Sequence, residues 1–146
     1  MRFQTVSLDG PRRPLIPVFV ESDSGQRLIV DGLVDTGSDL TLFPERVAIK
    51  LGLDLTQSAA LPLRTGVGIN GSHRECEVIL ELRWEGEAHR WRTRVGIYPG
   101  QMRYCLLGTK GFFEYFDLNY SARQQVFELR LATTLPHPSY WPSGKN

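Results

Sequence analysis

The sequence predicts a mainly β, single-domain fold with one or two short helices. Three observations predict it. Cys76 to Glu85 alternates apolar and polar residues with a period of about two, the pattern of a half-buried strand. The apolar segments before it are short and bounded by turn residues. Finally, 14 glycines and 9 prolines in 146 residues supply many turns.

Length and charge set the frame. A chain of 146 residues fits one domain. It is long enough to bury roughly two thirds of the surface its unfolded form exposes. With 17 basic and 16 acidic side chains the net charge is +1, which argues against a protein built to hold nucleic acid or an anionic membrane. An apolar fraction of 41% and a charged fraction of 23% are ordinary globular values.

Taken in order, Leu15 to Val20 reads as a strand, and Pro17 near its start favours an edge. Ser22-Asp23-Ser24-Gly25 is a turn, and Arg27 to Val34 is the next strand. A helix follows at Pro44: Val47, Ala48 and Leu51 make its apolar stripe, and Gly52 sits where a helix C-terminus wants it. In the alternating strand, Cys76, Val78, Leu80, Leu82 and Trp84 share one face, and Glu75, Glu77, Glu81 and Glu85 the other. Glu85-Gly86-Glu87 turns the chain, and Arg90 to Ile97 returns with Arg90, Arg92 and Arg94 opposite Trp91, Thr93 and Val95. An acidic row facing a basic row is expected to be a solvated, salt-bridged face, not a nucleic-acid patch. The division is a single domain over residues 1–132 and a Pro-rich, poorly ordered tail over 133–146, with Pro136, Pro138 and Pro142.

The start, Met1 to Thr5, lacks the apolar stretch of a signal peptide, and no apolar run is long enough to span a bilayer. The two cysteines, Cys76 and Cys105, form no disulfide framework. They are expected to be buried thiols in a reducing, cytoplasmic setting.

Chemistry enters at Asp35-Thr36-Gly37-Ser38, directly after the apolar pair Leu33-Val34. A carboxylate at the end of a buried strand, followed by a small residue and a glycine, is a way to present an acid on a tight loop. The plain alternative is an Asx or ST turn after a strand.

The surroundings carry a resemblance. Val30-Asp31-Gly32-Leu33-Val34-Asp35-Thr36-Gly37-Ser38 is an apolar strand running into the motif. Thr41-Leu42-Phe43-Pro44 leads to the helix and to Leu51-Gly52-Leu53. Cys105-Leu106-Leu107-Gly108 is followed by Phe112-Phe113, Phe116-Asp117-Leu118 and Val126-Phe127-Glu128-Leu129. In this order and at these distances, the three elements resemble the retropepsin-like, single-lobe aspartic proteases, of the bacterial and cellular type. The resemblance covers roughly Leu15 to Leu131.

It implies a closed barrel of six to eight strands, with a flap hairpin, and one catalytic Asp per chain. The active site then forms at a homodimer interface, where Asp35 meets its twin. Two carboxylates about 3 Å apart share one proton. The ionised Asp acts as general base on a water, and the protonated one polarises the scissile carbonyl of a polypeptide substrate. Thr36 would hydrogen-bond across the dimer, and Gly37 would leave room for substrate backbone. Ser38 and Asp39 belong to the substrate-binding set; Asp39 matches a family Asp that contacts substrate backbone. The retroviral members follow the apolar-apolar-Gly element with Arg and Asn, where this chain has Thr109-Lys110. Arg103 or Lys110 is then the candidate support for Asp39. Retroviral dimers are held by interleaved terminal strands. The long N-terminal segment here has no counterpart in them.

Gly66-Val67-Gly68-Ile69-Asn70-Gly71 matches the dinucleotide fingerprint in letters, but an alternating strand follows it where that fingerprint needs a helix. In the family reading this stretch is the flap, with Gly68, Ile69, Asn70 and Gly71 over the substrate and Ile69 at the tip. No metal and no organic cofactor are implied. His73, His89 and His137 lack ligand spacing and read as solvated or capping side chains. Ser38, Ser121 and Ser139 lack a nucleophile-elbow context, and Cys105 reads as core. The competing function is a catalytically silent peptide-binding or dimerisation module of the same fold.

Overall fold

The computed structural model describes residues 1–64 and 70–138. Its elements in chain order are β1 (Arg2–Gln4), β2 (Leu15–Glu21), β3 (Arg27–Val34), β4 (Leu42–Pro44), α1 (Glu45–Lys50), β5 (Leu61–Arg64), β6 (Asn70–Trp84), β7 (Glu87–Tyr98), β8 (Cys105–Leu107), β9 (Phe116–Ser121) and β10 (Val126–Leu131). The mainly β expectation holds, with one helix among the described residues.

The main sheet runs β2-β3-β8-β4-β7-β6, and β6 pairs back onto β2, so these six strands close into a barrel. The length of β6 makes closure possible. Its 15 residues reach β5 through Asn70–His73 and β2 through Ile79–Glu81, while β7 lies along its other side. β2 is therefore not an edge strand, as its proline had suggested. Pro17 lies opposite Asp31 of β3, before the β6 contact begins at Phe19, so its missing N–H costs no ladder bond on the β6 side.

The core follows the period-two pattern. Val78, Leu80 and Leu82 of β6 are buried, with Trp91, Val95 and Ile97 of β7. Cys76 and Trp84, on the same face, are half-buried at its margins. Trp91 donates its indole N–H to the Gly111 carbonyl at 3.0 Å and packs on Phe116, which stacks on Phe112 at 5.0 Å. The hairpin turn is Glu85-Gly86, both at positive φ, as a two-residue β-turn of this kind requires. Helix α1 starts at Pro44 and stops in a Schellman motif. Gly52 has φ +63°, its N–H bonds Ile49, and the Leu53 N–H bonds Ala48.

The charged face is mostly the one expected. Arg94 pairs with Glu77 at 3.3 Å, Arg90 with Glu21 at 2.8 Å, and Arg92 with Asp23 at 2.8 Å. Glu81 departs from it. It lies opposite Phe19 where β2 closes the barrel, is only 6% exposed, and is held by Arg27 at 2.8 Å and by Arg83.

Outside the barrel, β1, β10 and β9 form a three-stranded sheet. The Met1 ammonium donates to the Leu129 carbonyl at 2.9 Å, and Phe3 stacks on Phe127. The terminal strands thus pair within one chain. The described start of the tail runs back along β7: the Arg92 Nε–H donates to the Pro138 carbonyl at 2.8 Å. The rest of the tail lies outside the described residues. Both cysteines are free thiols, Cys105 buried and Cys76 half-buried. Burial pushes each thiol up to about 12. No helix among the described residues is long and apolar enough to cross a membrane.

Candidate active site

The site begins with two parallel strands. β3 lies along β8 in the register Gly32 to Cys105, Leu33 to Leu106 and Val34 to Leu107. A β-carbon on Gly32 would stand 2.7 Å from Leu107 Cδ1, so this close strand contact needs a glycine. β3 delivers Asp35 at the barrel rim, where its N–H donates to the Leu107 carbonyl at 3.1 Å.

The turn that follows folds back on the carboxylate. The Gly37 N–H donates to Asp35 Oδ1 at 2.9 Å, and the Ser38 N–H to the Asp35 carbonyl at 3.2 Å. This is an Asx turn, so the plain reading of the tetrapeptide describes its local geometry. Asp35 is half-buried, and among the described residues its Oδ2 makes no hydrogen bond. One carboxylate oxygen is thus fixed and the other is left to the cleft.

The loop is strapped to the segment after β8. The Thr109 N–H donates to the Ser38 carbonyl at 2.9 Å, the Lys110 N–H to the Asp39 carbonyl at 3.0 Å, and the Thr41 N–H to the Lys110 carbonyl at 2.8 Å. Gly108 lies beneath, its N–H donating to the buried Thr41 Oγ1 at 3.2 Å. The Ser38 hydroxyl donates to the Leu40 carbonyl at 2.7 Å, which makes it a loop brace.

A cleft of about 680 Å³ opens beside this loop, lined by Asp35, Gly37, Ser38 and Asp39. Its remaining wall comes from Leu40, Leu42 and Leu106, from β5, and from His73, Glu75 and Lys110. Thr36 is exposed beside these residues and does not line the cleft. Asp39 is exposed and makes no salt bridge among the described residues. Arg103, one candidate for its support, pairs with Asp9 at 3.0 Å, and among the described residues Lys110 meets Asp39 through its backbone N–H only.

The expected flap maps onto the β5–β6 hairpin. Leu61 pairs with His73, Leu63 with Gly71 and Arg64 with Asn70. Asn70 and Gly71 therefore start the returning arm, while Gly68 and Ile69 lie outside the described residues. A strand follows the glycines, so the chain builds no βαβ nucleotide unit here.

His73 corrects an expectation. It is 4% exposed, not solvated, and it caps nothing: among the described residues neither ring nitrogen makes a hydrogen bond. The cleft residues Leu61, Leu63, His73 and Glu75 carry no motif; only their alternation on two paired strands foreshadows a shared surface. His89 is half-buried and packs edge-on to Phe116 instead of being solvated or capping, while Cys105 lies in the core as expected. Among the described residues, no cluster of three or more His, Cys, Asp and Glu side chains is placed to hold a metal ion.

A closed barrel with a strapped Asp loop at its rim, under the arms of a hairpin, defines the retropepsin-like class of fold. The sequence model of the Aspartyl protease family matches residues 20–110, a span that holds both the Asp35 loop and Gly108. The chain belongs to that aspartyl protease family. Among solved structures it is similar to a retropepsin-like aspartic protease from Rickettsia conorii, with a TM-score of 0.58 at 17% identity over 88% of this chain and 89% of that one. The EIAV protease, bound to an inhibitor, aligns with a TM-score of 0.44 at 16% identity over 71% of this chain and 88% of that one. No curated protein shows significant sequence similarity to the chain. Family and fold together support aspartic protease activity.

Proposed function

We propose that the protein is an aspartic endopeptidase that works as a homodimer, with Asp35 of each copy forming the catalytic dyad. The observation that carries this reading is the fixing of Asp35: one oxygen held by the Gly37 N–H, the backbone anchored to Leu107, and the second oxygen left to the cleft. One chain supplies one such carboxylate, and the chemistry needs two. In the dyad, the ionised Asp takes a proton from the water as its oxygen attacks the peptide carbonyl carbon. The protonated Asp donates to the carbonyl oxygen, giving a tetrahedral diol. Collapse of the diol breaks the C–N bond, and the leaving nitrogen takes the proton. Thr36, exposed beside the loop, is assigned to the contact between copies. Gly37, Ser38 and Asp39 would bind substrate backbone, with Gly68, Ile69, Asn70 and Gly71 over it. Substrate would lie extended, like an added strand.

The test is cleavage of an unstructured peptide library between pH 4 and 7 by the parent and by Asp35→Asn, with solution mass measured in parallel. Cleavage that Asp35→Asn abolishes, in a dimer, supports the proposal. Equal cleavage by both proteins assigns the activity elsewhere. A strict monomer that binds peptide without cutting it is the silent binding module.

A further inference from the structure

His73 lies in the cleft wall at 4% exposure, and among the described residues both its ring nitrogens lack a hydrogen-bond partner. It sits opposite Leu61 of β5, among Leu40, Leu42 and Leu63. Room for the ring is made by Gly96, where a β-carbon would stand 3.1 Å from His73 Cδ2. A buried imidazole without partners is costly, and an aliphatic side chain would line the same apolar wall at no such cost.

Its neighbours say which partner is missing. Glu75, two residues along β6 on the same face, places Oε1 3.5 Å from His73 Nε2. The other Glu75 oxygen faces Arg94 at 3.8 Å, so that carboxylate is already shared. A neutral imidazole has one donor and one acceptor nitrogen. With Nε2 turned to a carboxylate, the proton belongs on Nε2, and Nδ1 is left as an acceptor.

Resting on the protease reading above, we propose that His73 is a specificity-determining residue: its Nδ1 accepts a hydrogen bond from an uncharged donor, a hydroxyl or a carboxamide, on a substrate side chain entering this cleft. Both nitrogens are buried in the cleft wall, so meeting that donor requires the ring to turn about its broad χ2 torsion. Tyr and Gln in the substrate meet the requirement. Phe and Met fill the same space and do not.

The test uses position-scanned peptides in matched Tyr/Phe and Gln/Met pairs. Binding is read with the non-cleaving Asp35→Asn protein, by anisotropy and by the imidazole C–H resonance of His73, and kcat/KM is read with the parent. The expected result is a preference of about tenfold or more for the donor member at one position, with a shift of the His73 resonance on binding. His73→Leu should bring the ratio close to one, and His73→Gln should restore part of it. A ratio near one in the parent overturns the proposal while peptide cleavage stands. A ratio unchanged in a folded His73→Leu protein overturns it too. Peptides that neither bind nor are cut overturn the subsite and the protease reading together.

Discussion

A β-carbon on Gly108 would stand 2.2 Å from the Leu40 carbonyl oxygen, a backbone atom with no freedom to retreat. The same carbon would lie 2.6 Å from the Ser38 carbonyl oxygen. The Asp35 loop and the segment after β8 therefore touch backbone to backbone, and only glycine permits it. Gly108→Ala must lift the loop off its strap. We expect a loss of about 3 kcal/mol in stability, read as a lower urea midpoint with an unchanged slope, and loss of activity at temperatures where the variant is still folded.

Gly37 makes the contrasting case. A β-carbon there would meet only Asp35 Oδ1, at 3.2 Å, and the backbone is not in the left-handed region. The carboxylate can yield where a backbone carbonyl cannot. Gly37→Ala should therefore unfold within about 1 kcal/mol of the parent. Its peptide cleavage should fall by about 100-fold, because the displaced oxygen is the one that fixes the orientation of the reacting carboxylate. Equal losses of stability in Gly37→Ala and Gly108→Ala would contradict this division.

These two glycines also mark what the sequence made legible. The tetrapeptide at Asp35 and the Leu106-Leu107-Gly108 element are local, and each announces itself in a few letters. The period-two pattern of Val78, Leu80 and Leu82 located the barrel wall in the same way. Barrel closure is not local: β2 meets β6 across about 60 residues, Val20 pairing with Leu80, and no spacing rule reports such a contact. That contact is what buried Glu81 and removed the free edge expected at Pro17. His73 was misread for a related reason. Its burial comes from Leu61 across the hairpin and from Gly96 making room on β7, neither of which is near it in sequence.

Thr41 holds the strap from the other side. It is fully buried, and its Oγ1 accepts the Gly108 N–H. Thr41→Val keeps the shape and removes the acceptor, leaving a buried N–H unpaired. The expected cost is about 1–3 kcal/mol, measured by urea unfolding. Thr41→Ser keeps the oxygen and should recover most of the hydrogen-bond part. If Thr41→Val were as stable as the parent and only Thr41→Ser lost stability, packing of the methyl group and not the hydrogen bond would be the cause.

The buried thiols set an alkaline limit to stability. Burial is the largest cause of the rise to about 12 at Cys76, where the Glu77 charge adds to it, and at Cys105. An unfolded thiol ionises near pH 8.5, so above that value the unfolded chain releases protons that the folded chain keeps. The stabilisation from the neutral thiols is therefore complete below about pH 8.5 and is lost as the pH rises toward about 12. The Tyr115 hydroxyl, raised by burial and by Glu114, acts in the same direction. The urea midpoint should fall between pH 8 and pH 10.5, by less in a Cys76→Ala, Cys105→Ala double variant. The difference between the two slopes is the thiol contribution, and parallel slopes would show that neither thiol is sequestered from water in the folded chain.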